Sequence, residues 1–242
     1  MRKLALVFAV LLAACTAAPP PAPPAGGLVD LPSPAGERLL AGDEALRAYV
    51  PLSVHFVTQE TQSFCGVASM TIVLNALGVP APTTPAYEPY RMFTQDNVLD
   101  ERTEAIRPRA TILQRGMTVD QLGALLAVHG VETEVRHASD SSVDAFREAA
   151  RAHLGEPGRA VLVNYLRTAL DQVKGGHISP LAAYDAATDR FLILDVARYK
   201  YPPVWVRTAD LFAAMNTPDS DNDNRSRGYV LVRRADATAT TS

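Results

Sequence analysis

A proline-rich tract near the N-terminus limits how much of this chain can fold into a packed domain. Residues 16–36 contain Pro19, Pro20, Pro21, Pro23 and Pro24 among alanines and glycines. Such a tract favours extended polyproline geometry and cannot bury a core. We therefore predict a tether over residues 15–36, a folded domain over 37–235 and a polar tail over 236–242. The 242 residues are 48% hydrophobic and 20% charged, which excludes collagen, coiled coil and wholesale disorder.

The residues before the tract have the pattern of an export signal. A positively charged start, Met1-Arg2-Lys3, precedes an apolar run from Leu4 to Ala14. A run of that length is typical of a secretory signal and is too short to span a bilayer. Its end, Leu12-Ala13-Ala14-Cys15, resembles the bacterial lipobox, in which the cysteine becomes the lipidated first residue. We predict a signal peptide over residues 1–14, lipidation of Cys15 and a membrane-anchored periplasmic domain. A plain secretory signal is the alternative.

Charge and cysteine content exclude several classes of protein. The formal net charge is −3, whereas nucleic-acid-binding proteins normally carry a basic excess, so we expect no nucleic-acid partner. Two cysteines cannot build a disulfide framework or a cysteine-rich zinc site, and we predict no metal site and no cofactor. With Cys15 assigned to lipidation, Cys65 is the single thiol of the exported domain. An unpaired thiol in an oxidising compartment indicates a reactive role, and a buried, inert cysteine is the alternative.

The sequence around Cys65 predicts a helix that begins near this thiol. Apolar residues recur at helical spacing at Val67, Met70, Val73, Leu74 and Leu77. Gly78 is the expected stop and Ser63 the expected N-cap, which places Cys65 in the first helical turn. The helix dipole and the free backbone N–H groups of that turn lower the pKa of a thiol. The apolar face is core, whereas the cysteine at the start of the helix is a candidate nucleophile.

Five histidines are candidates for the base that a nucleophilic thiol requires. Four have expected structural or surface positions: His129 at the end of a helix that opens with a capping box, His137 after an alternating strand, His153 in a charged helix and His55 in an extended segment. The fifth, His177, follows two glycines and opens an apolar run. We therefore predict His177 as the base.

The sequence after His177 predicts a β-hairpin. Two apolar runs are joined by the turn-type residues 185–189. If Tyr184 pairs with Arg190, then Asp195 is the diagonal neighbour of His177 on one face of the hairpin. Diagonal neighbours lie about 7–8 Å apart, within reach of a hydrogen bond, and a slip of one residue would place the two side chains on opposite faces. We predict a His177–Asp195 pair, with a backbone-capping role of Asp195 as the alternative.

Gln59 completes the candidate site. A glutamine six residues before a cysteine at a helix start can donate a side-chain N–H to the carbonyl oxygen that the Cys65 backbone N–H contacts, forming an oxyanion hole. The order Gln59, Cys65, His177, Asp195 resembles the papain-like peptidase superfamily. That resemblance implies an α+β fold of the papain-like cysteine peptidase type. In it, a helical lobe carrying the cysteine packs on an antiparallel sheet carrying the histidine and the aspartate.

Longer strings resemble the phytochelatin synthase family, especially its short bacterial members. The strings are residues 49–53, 64–70, 89–97, 164–167, 175–184 and, most specific, 189–205. The similarity extends from about residue 38 to residue 233. The catalytic residues of the family fall on Cys65, His177 and Asp195, and its oxyanion glutamine falls on Gln59. The resemblance implies glutathione, or a related γ-glutamyl thiol peptide, as the substrate.

The resemblance also implies an activity. Cys65 attacks the carbonyl of the Cys–Gly bond of glutathione and becomes a γ-glutamylcysteinyl thioester. Water then gives γ-glutamylcysteine, whereas the amine of a second glutathione gives phytochelatin. Plant and fungal members carry a cysteine-rich C-terminal region that this sequence does not contain, and the short bacterial members act mainly as hydrolases, so we expect hydrolysis to dominate. The family resemblance also leads us to expect a homodimer, and metal thiolates of glutathione as further substrates.

Three residues are candidates for substrate binding. Arg227 matches a family arginine near the γ-glutamyl end, and a guanidinium suits bidentate carboxylate recognition. Asp219 and Asn164 are candidates for the amine and the polar rim. Arg198 and Lys200 lie in the most specific string, where structural pairing is one role open to them.

Two other functions stay open at this point: a papain-like peptidase of a glycine-rich leader peptide, and a non-catalytic thiol-binding lipoprotein. Cleavage of glutathione rather than of a leader peptide separates the expected enzyme from the first alternative. Binding without turnover would indicate the second.

Overall fold

The computed structural model describes residues 27–41 and 43–235 of the chain. The predicted signal peptide over 1–14, the predicted lipidation site at Cys15 and the predicted tail over 236–242 lie outside these residues. Within the described part, no helix combines the length and apolar character needed to cross a membrane.

The described residues form a mixed α/β domain. Its helices are α1 (Pro34–Leu40), α2 (Asp43–Val54), α3 (Cys65–Ala76), α4 (Glu101–Glu104), α5 (Arg109–Arg115), α6 (Val119–Ala127), α7 (Val143–Leu154) and α8 (Thr208–Met215). Its strands are β1 (Val29–Asp30), β2 (Val131–His137), β3 (Arg159–Leu166), β4 (Gly176–Asp185), β5 (Arg190–Ile193), β6 (Val204–Arg207) and β7 (Gly228–Arg234).

The strands of the described part form one seven-stranded sheet in the order β1-β6-β5-β4-β3-β7-β2, and every neighbouring pair is antiparallel. A mixed α/β domain with an antiparallel sheet confirms the coarse prediction of fold class. β3 and β4 are central and are buried along nearly their whole length. Burial on both faces explains why their sequences read as continuous apolar runs rather than as an alternating pattern.

Helices cover both faces of the sheet. Val135 of β2 packs so closely on α6 that a Cβ atom at Gly123 would lie 2.3 Å from it. Val135 pairs with Val230, and the adjacent Tyr229 stacks on Phe146 of α7 with ring centroids 4.9 Å apart. Because successive side chains of a strand point to opposite faces, α6 and α7 lie on opposite sides of the sheet.

Helix α3 runs through the interior, since all of its residues from Gly66 to Leu74 are buried. Its C-terminus confirms the predicted stop: Leu77 is the C-cap, and Gly78 follows in the left-handed region at φ +64°. The prediction of Ser63 as the N-cap is wrong. Phe64 occupies that position without a side-chain hydrogen bond, because the Ser63 hydroxyl instead donates to the Leu113 carbonyl at 2.9 Å.

The β4–β5 hairpin corrects the predicted register. Asp185 pairs with Arg190 and Tyr184 with Phe191, so the predicted Tyr184–Arg190 pair is wrong by one residue. A bulge between Leu181 and Ala183 then shifts the register, and Leu181 pairs with Ile193. A bulge adds one residue to one strand only. The extra residue cancels the error at the turn, and the predicted alignment holds beyond the bulge.

The folded domain begins earlier than residue 37. β1 pairs with β6, Val29 opposite Trp205, and the Ser33 hydroxyl caps α1 by accepting from the Gly36 N–H. The Trp205 indole N–H donates to the Gly36 carbonyl at 3.1 Å. The predicted tether over 15–36 is therefore wrong for its last residues, which the sheet edge and α1 hold in place.

The four histidines assigned to structural positions lie in or next to regular elements. His137 is the last residue of β2 and contacts Asp120, and His129 follows α6, whose predicted capping box is present. His153 lies in α7. His55 directly follows α2, so the prediction of an extended segment there is wrong.

Candidate active site

Cys65 is the first residue of α3 and is half-buried. Backbone N–H groups in a first helical turn have no partner within the helix, so they favour a negative charge at this position. The Ser69 hydroxyl, one turn further on, donates to the carbonyl of Ile178 at 3.2 Å. This contact fixes the start of α3 beside the start of β4, where His177 lies.

His177 and Asp195 meet as the hairpin prediction required. The His177 Nε2 atom lies 2.9 Å from the Asp195 Oδ1 atom, and both side chains are buried. The Ser179 hydroxyl is also 2.9 Å from Nε2, and the Ala197 backbone N–H donates to Asp195 Oδ1 at 2.8 Å. Because Nε2 contacts Asp195 and Ser179, Nδ1 is the ring nitrogen available to hydrogen-bond with the Cys65 thiol.

Arg167 is a member of this cluster that the sequence reasoning missed. It follows β3, and its guanidinium spans the Asp195 carboxylate, with Nη2 at 2.9 Å from Oδ1 and Nη1 at 2.8 Å from Oδ2. The guanidinium is buried and also lies over the Tyr201 ring, 5.0 Å from its centroid. An arginine closing a buried strand was the available signal, because a buried charge requires a partner.

The electrostatics of the buried carboxylate favour its charged form. Burial raises the pKa of Asp195, but the hydrogen bond and charge of His177, together with Arg167, outweigh burial and bring the pKa to about 2. Burial lowers the pKa of His177, whereas the hydrogen bonds to Asp195 and Cys65 raise it, and the net shift is upward. The imidazolium form is therefore favoured.

The thiol shifts in the complementary direction. Burial raises the pKa of Cys65, but the hydrogen bond and charge of His177, followed by backbone hydrogen bonds from Ile178 and Gly66, hold it below the ordinary value. A lowered thiol pKa beside a raised imidazole pKa favours a thiolate–imidazolium pair, the reactive form of a nucleophilic cysteine.

Gln59 is buried next to this cluster, with both amide hydrogens engaged. Its Nε2 atom donates to the Thr61 carbonyl at 2.8 Å and to the Tyr199 hydroxyl at 2.9 Å. Its Oε1 atom is buried and has no hydrogen-bond partner among the described residues. The oxyanion role of Gln59 stays a prediction, since a substrate oxygen would have to replace one of these acceptors.

A cavity of about 500 Å³ opens over Cys65 and His177. This volume lies within the range of small-molecule sites, roughly 300–1,000 Å³. All three residues predicted to bind substrate, Asn164, Asp219 and Arg227, line it. The other walls are formed by residues 61–63, 113–117, 176–178 and 219–221.

Arg227 is held at the inner end of the 217–227 segment. Its Nη1 atom donates to the Thr217 hydroxyl at 3.1 Å and also contacts the Pro218 carbonyl, while Nη2 lies 3.7 Å from Asp219 Oδ1. Its Nε atom is buried without a hydrogen-bond partner in the described part of the chain. An arginine held this way keeps donor capacity for a ligand.

Arg198 and Lys200 follow Asp195 in the chain and contact aromatic rings. The Arg198 guanidinium is 4.9 Å from the centroid of the Phe56 ring, and the Lys200 ammonium is 5.8 Å from that of Tyr199. Both contacts are cation–π pairs, in line with the structural pairing considered for them.

No group of three or more His, Cys, Asp or Glu side chains suited to hold a metal ion occurs in residues 27–41 and 43–235.

Taken together, an antiparallel sheet, an interior helix that begins at a cysteine and a buried His–Asp pair beside a cavity define a mixed α/β protein with a candidate thiol nucleophile. The family model described as phytochelatin synthase matches residues 23–229. The chain belongs to the phytochelatin synthase family.

Three relatives illustrate the similarity. The chain is 34% identical over 215 residues to glutathione gamma-glutamylcysteinyltransferase 3 of Lotus japonicus, covering 88% of this chain and 43% of the relative. It is 32% identical over 217 residues to glutathione gamma-glutamylcysteinyltransferase 1 of Arabidopsis thaliana, covering 88% and 42%. It is 30% identical over 184 residues to the glutathione gamma-glutamylcysteinyltransferase of Schizosaccharomyces pombe, covering 76% and 43%. The chain thus spans less than half the length of these relatives.

Proposed function

We propose that this chain is an enzyme that cleaves the Cys–Gly bond of glutathione, with Cys65 as nucleophile, His177 as acid and base, and Asp195 as the group that orients the imidazole. The observation that carries the proposal is the buried His177–Asp195 contact of 2.9 Å beside the cavity that Cys65 lines. The printed names of the relatives supply the substrate class, glutathione, and the group transferred, γ-glutamylcysteinyl. The proposal gives these residues the roles that they have in papain-like cysteine peptidases.

The first half of the proposed reaction forms the thioester. The Cys65 thiolate attacks the carbonyl carbon of the Cys–Gly peptide bond, and the C=O electron pair moves onto the oxygen. As the tetrahedral intermediate collapses, the C–N bond breaks, and protonated His177 gives its proton to the glycine amine. The Cys65 backbone N–H and Gln59 stabilise the oxyanion. Asp195 keeps His177 in the required tautomer and stabilises its cation.

The second half releases the acyl group. His177 takes a proton from water, the oxygen attacks the thioester carbonyl, and the C–S bond breaks to give γ-glutamylcysteine and the Cys65 thiolate. When the α-amine of a second glutathione attacks instead, the product is phytochelatin. We propose hydrolysis as the main activity and this transfer as the secondary one.

Substrate binding follows from charge. The amino-acid end of glutathione carries an ammonium and a carboxylate, and the inner wall of the cavity carries Asp219 and Arg227. We propose that Arg227 binds that carboxylate and Asp219 the ammonium, with Asn164 as part of the polar wall of the same cavity.

The remaining proposals concern the setting of the domain: a lipid anchor at Cys15, a periplasmic location, a homodimer and metal thiolates of glutathione as further substrates. The anchor is tested by incorporation of labelled fatty acid into the full chain and into Cys15→Ala. Label in both proteins would contradict it.

The activity is tested by incubating the purified, reduced full chain with glutathione and identifying products by mass spectrometry. Glycine and γ-glutamylcysteine are expected from the wild type and not from Cys65→Ala. Cys15→Ala is the matched control, because it removes the other cysteine and leaves the candidate site intact. Absence of both products from the wild type would contradict the proposal, and cleavage of a glycine-rich leader peptide instead would favour the peptidase alternative.

A further inference from the structure

The cavity over Cys65 contains two arginine–aspartate pairs at different depths. The inner pair is Arg227 and Asp219, whose side chains are 10% and 13% exposed. The outer pair is Arg115 and Asp221, with Nη2 at 2.6 Å from Oδ1 and side chains 63% and 29% exposed. Arg115 and Arg227 are the Arg or Lys residues that line the cavity within the described part of the chain.

The backbone that carries Arg115 is fixed relative to the nucleophile. Arg115 ends α5, and Leu113 of that helix accepts the hydrogen bond from Ser63, two residues before Cys65. Met117 packs on the start of α3 so closely that a Cβ atom at Gly66 would lie 2.5 Å from its sulfur. Because these contacts join the end of α5 to the first turn of α3, the backbone of Arg115 is held beside the helix turn that begins with Cys65.

We propose that Arg115 binds the C-terminal carboxylate of the donor tripeptide, the glycine carboxylate of glutathione, and so determines specificity for a free C-terminus. This inference rests on the proposed function. Glutathione carries one ammonium and two carboxylates. Asp219 and Arg227 match the ammonium and the carboxylate of its amino-acid end, which leaves one carboxylate and one cavity cation, Arg115.

The contacts of Arg115 leave it able to bind a second anion. Its one hydrogen bond or ion pair among the described residues is to Asp221, through Nη2. A guanidinium has five N–H donors in a planar fork, so Nη1 and the other free N–H groups can donate to a carboxylate while Asp221 holds the orientation. Lysine offers a point charge without that fork, and Arg115→Lys should therefore restore only part of the effect.

The test compares glutathione with its ethyl ester on the glycine carboxylate, using the full chain and initial rates of amine release. We expect the wild type to prefer glutathione by about tenfold or more in kcat/KM, which corresponds to one lost charge-assisted contact. In Arg115→Gln that preference should disappear through loss of activity on glutathione, with the ester rate little changed. Arg115→Lys should be intermediate. Arg38→Gln, an exposed arginine of α1 with the same change of charge, should keep the wild-type preference.

Two outcomes would overturn the inference: equal rates on both substrates in the wild type, or an equal loss on both in Arg115→Gln. A calorimetric binding measurement in the Cys65→Ala background keeps the test independent of turnover. There, the ratio of affinities for glutathione and its ester should fall when Arg115 is replaced by glutamine. Wild-type protein that binds with this ratio but releases no glycine would contradict the proposed function and leave the assignment of Arg115 supported.

Discussion

Asp195 is the side chain through which the other groups of the site are coupled. It neutralises Arg167 and holds the imidazole of His177 within hydrogen-bond distance. Asp195→Asn would keep the shape but remove the charge, and Arg167 would then be buried without a counter-ion. On the proposed role of Asp195, we expect kcat to fall by about 10²–10⁴-fold, the loss seen when the orienting aspartate of a catalytic triad is replaced by asparagine.

The same variant should change the pH dependence of kcat/KM in one direction. In the wild type, the thiolate–imidazolium pair exists between the lowered pKa of Cys65 and the raised pKa of His177. Without the Asp195 charge, the pKa of His177 falls, so the alkaline limb should move to lower pH and narrow the active range. An alkaline limb that stays in place while kcat falls would contradict this role of Asp195.

Gln59 presents a different test at the level of a single side chain. Its amide hydrogens are engaged by Thr61 and Tyr199, so an oxyanion must exchange with one of them. We expect Gln59→Ala to lower kcat by about 10²–10³-fold, the effect of removing one oxyanion donor. Tyr199→Phe is the matched control: it frees one N–H of Gln59 and should leave kcat within a few-fold of the wild type. A small effect of Gln59→Ala would assign the residue to packing alone.

The candidate nucleophile, base and orienting acid could be predicted because each breaks a local pattern. Cys65 is a lone thiol at a helix start, and Asp195 is an acid in an apolar run, two residues after the end of β5. Arg167 breaks the pattern equally, at the end of an apolar strand, but its partner Asp195 lies 28 residues away, beyond the end of β5. Charge pairs across that separation depend on sheet order, which spacing along the chain does not give.

The β4–β5 hairpin is joined to two helices through one carboxylate, that of Asp189. Asp189 occupies the turn at φ +50° and accepts from the Arg147 guanidinium of α7 through both of its oxygens, at 2.7 and 2.8 Å. It also accepts from the hydroxyls of Tyr184 at 2.9 Å and of Thr208, the first residue of α8, at 2.6 Å. The hydrogen bonds of Arg147 lower the pKa of Asp189 to about 2.

The contacts of Asp189 predict different losses of stability for variants at this position and at its neighbour Asp144. Asp189→Ala should lower the free energy of unfolding by about 2 kcal/mol, because it leaves charged and hydroxyl donors unpaired. Asp189→Asn should cost less, because asparagine tolerates the left-handed conformation and keeps an acceptor. Asp144→Asn removes the exposed carboxylate partner of Arg147 and should cost under about 0.5 kcal/mol. Urea unfolding measures all three, and equal losses for Asp189→Ala and Asp144→Asn would contradict the prediction.

The acid dependence of this contribution has a definite sign. The pKa of Asp189 is lower in the folded chain than in the unfolded one, so its stabilisation is full above about pH 4 and is lost as the pH falls towards 2. The Asp189→Asn protein should therefore lose less stability than the wild type across that interval.

The hairpin also illustrates where a prediction of register from sequence succeeds and fails. The turn-type residues gave a loop that was one residue too long, since Asp185 already pairs with Arg190. The bulge between Leu181 and Ala183 compensates, so the predicted alignment returns at Leu181–Ile193, and His177 contacts Asp195 two residues beyond the end of β5. A bulge in an apolar run such as Leu181-Ala182-Ala183 has no marker in the sequence, because backbone hydrogen bonding determines its position.

At the scale of the whole molecule, the cavity is assembled from segments that lie far apart in the chain. The end of α5 meets the segment before β7 through Arg115 and Asp221, 106 residues apart. Apolar patterns predicted α3 and the β4–β5 hairpin separately, and the antiparallel sheet came from the family resemblance. The position of Arg115 at the cavity could not be predicted from the sequence. The helix that carries it, α5, is short and has no side-chain cap, so neither periodicity nor a capping motif indicates it.

The first residue of the folded domain is the other feature of the whole molecule that could not be predicted from composition. Proline and glycine content made residues 27–36 look like a continuation of the tether. Yet Pro34 occupies the first turn of α1, where proline is favoured, and Ser33 caps that helix. Val29 is buried against the edge of the sheet. Two short elements of this kind fall below the length at which periodicity is informative.

Removing residues 1–36 should therefore weaken the domain, whereas removing residues 1–26 should not. The shorter protein loses β1, the burial of Val29 and the Gly36 carbonyl that pairs with the fully buried indole of Trp205. We expect its free energy of unfolding to be about 3 kcal/mol lower, because it loses the burial of one aliphatic side chain and leaves one indole N–H without an acceptor. Trp205 is the single tryptophan, so its fluorescence during urea unfolding reports the edge that is lost.

Ser33→Ala in the longer protein provides the graded control for this truncation. It removes the cap of α1 and the hydrogen bond from the Ser33 hydroxyl to the Asp30 carbonyl, but keeps the backbone of β1 and the Gly36 carbonyl. It should cost about 1 kcal/mol, without changing the environment of Trp205. Equal unfolding midpoints for the two truncated proteins would show that residues 27–36 do not stabilise the domain, as the tether prediction implies. A midpoint loss without a shift of the Trp205 emission would place the stabilisation in α1 rather than in the pairing of β1 with β6.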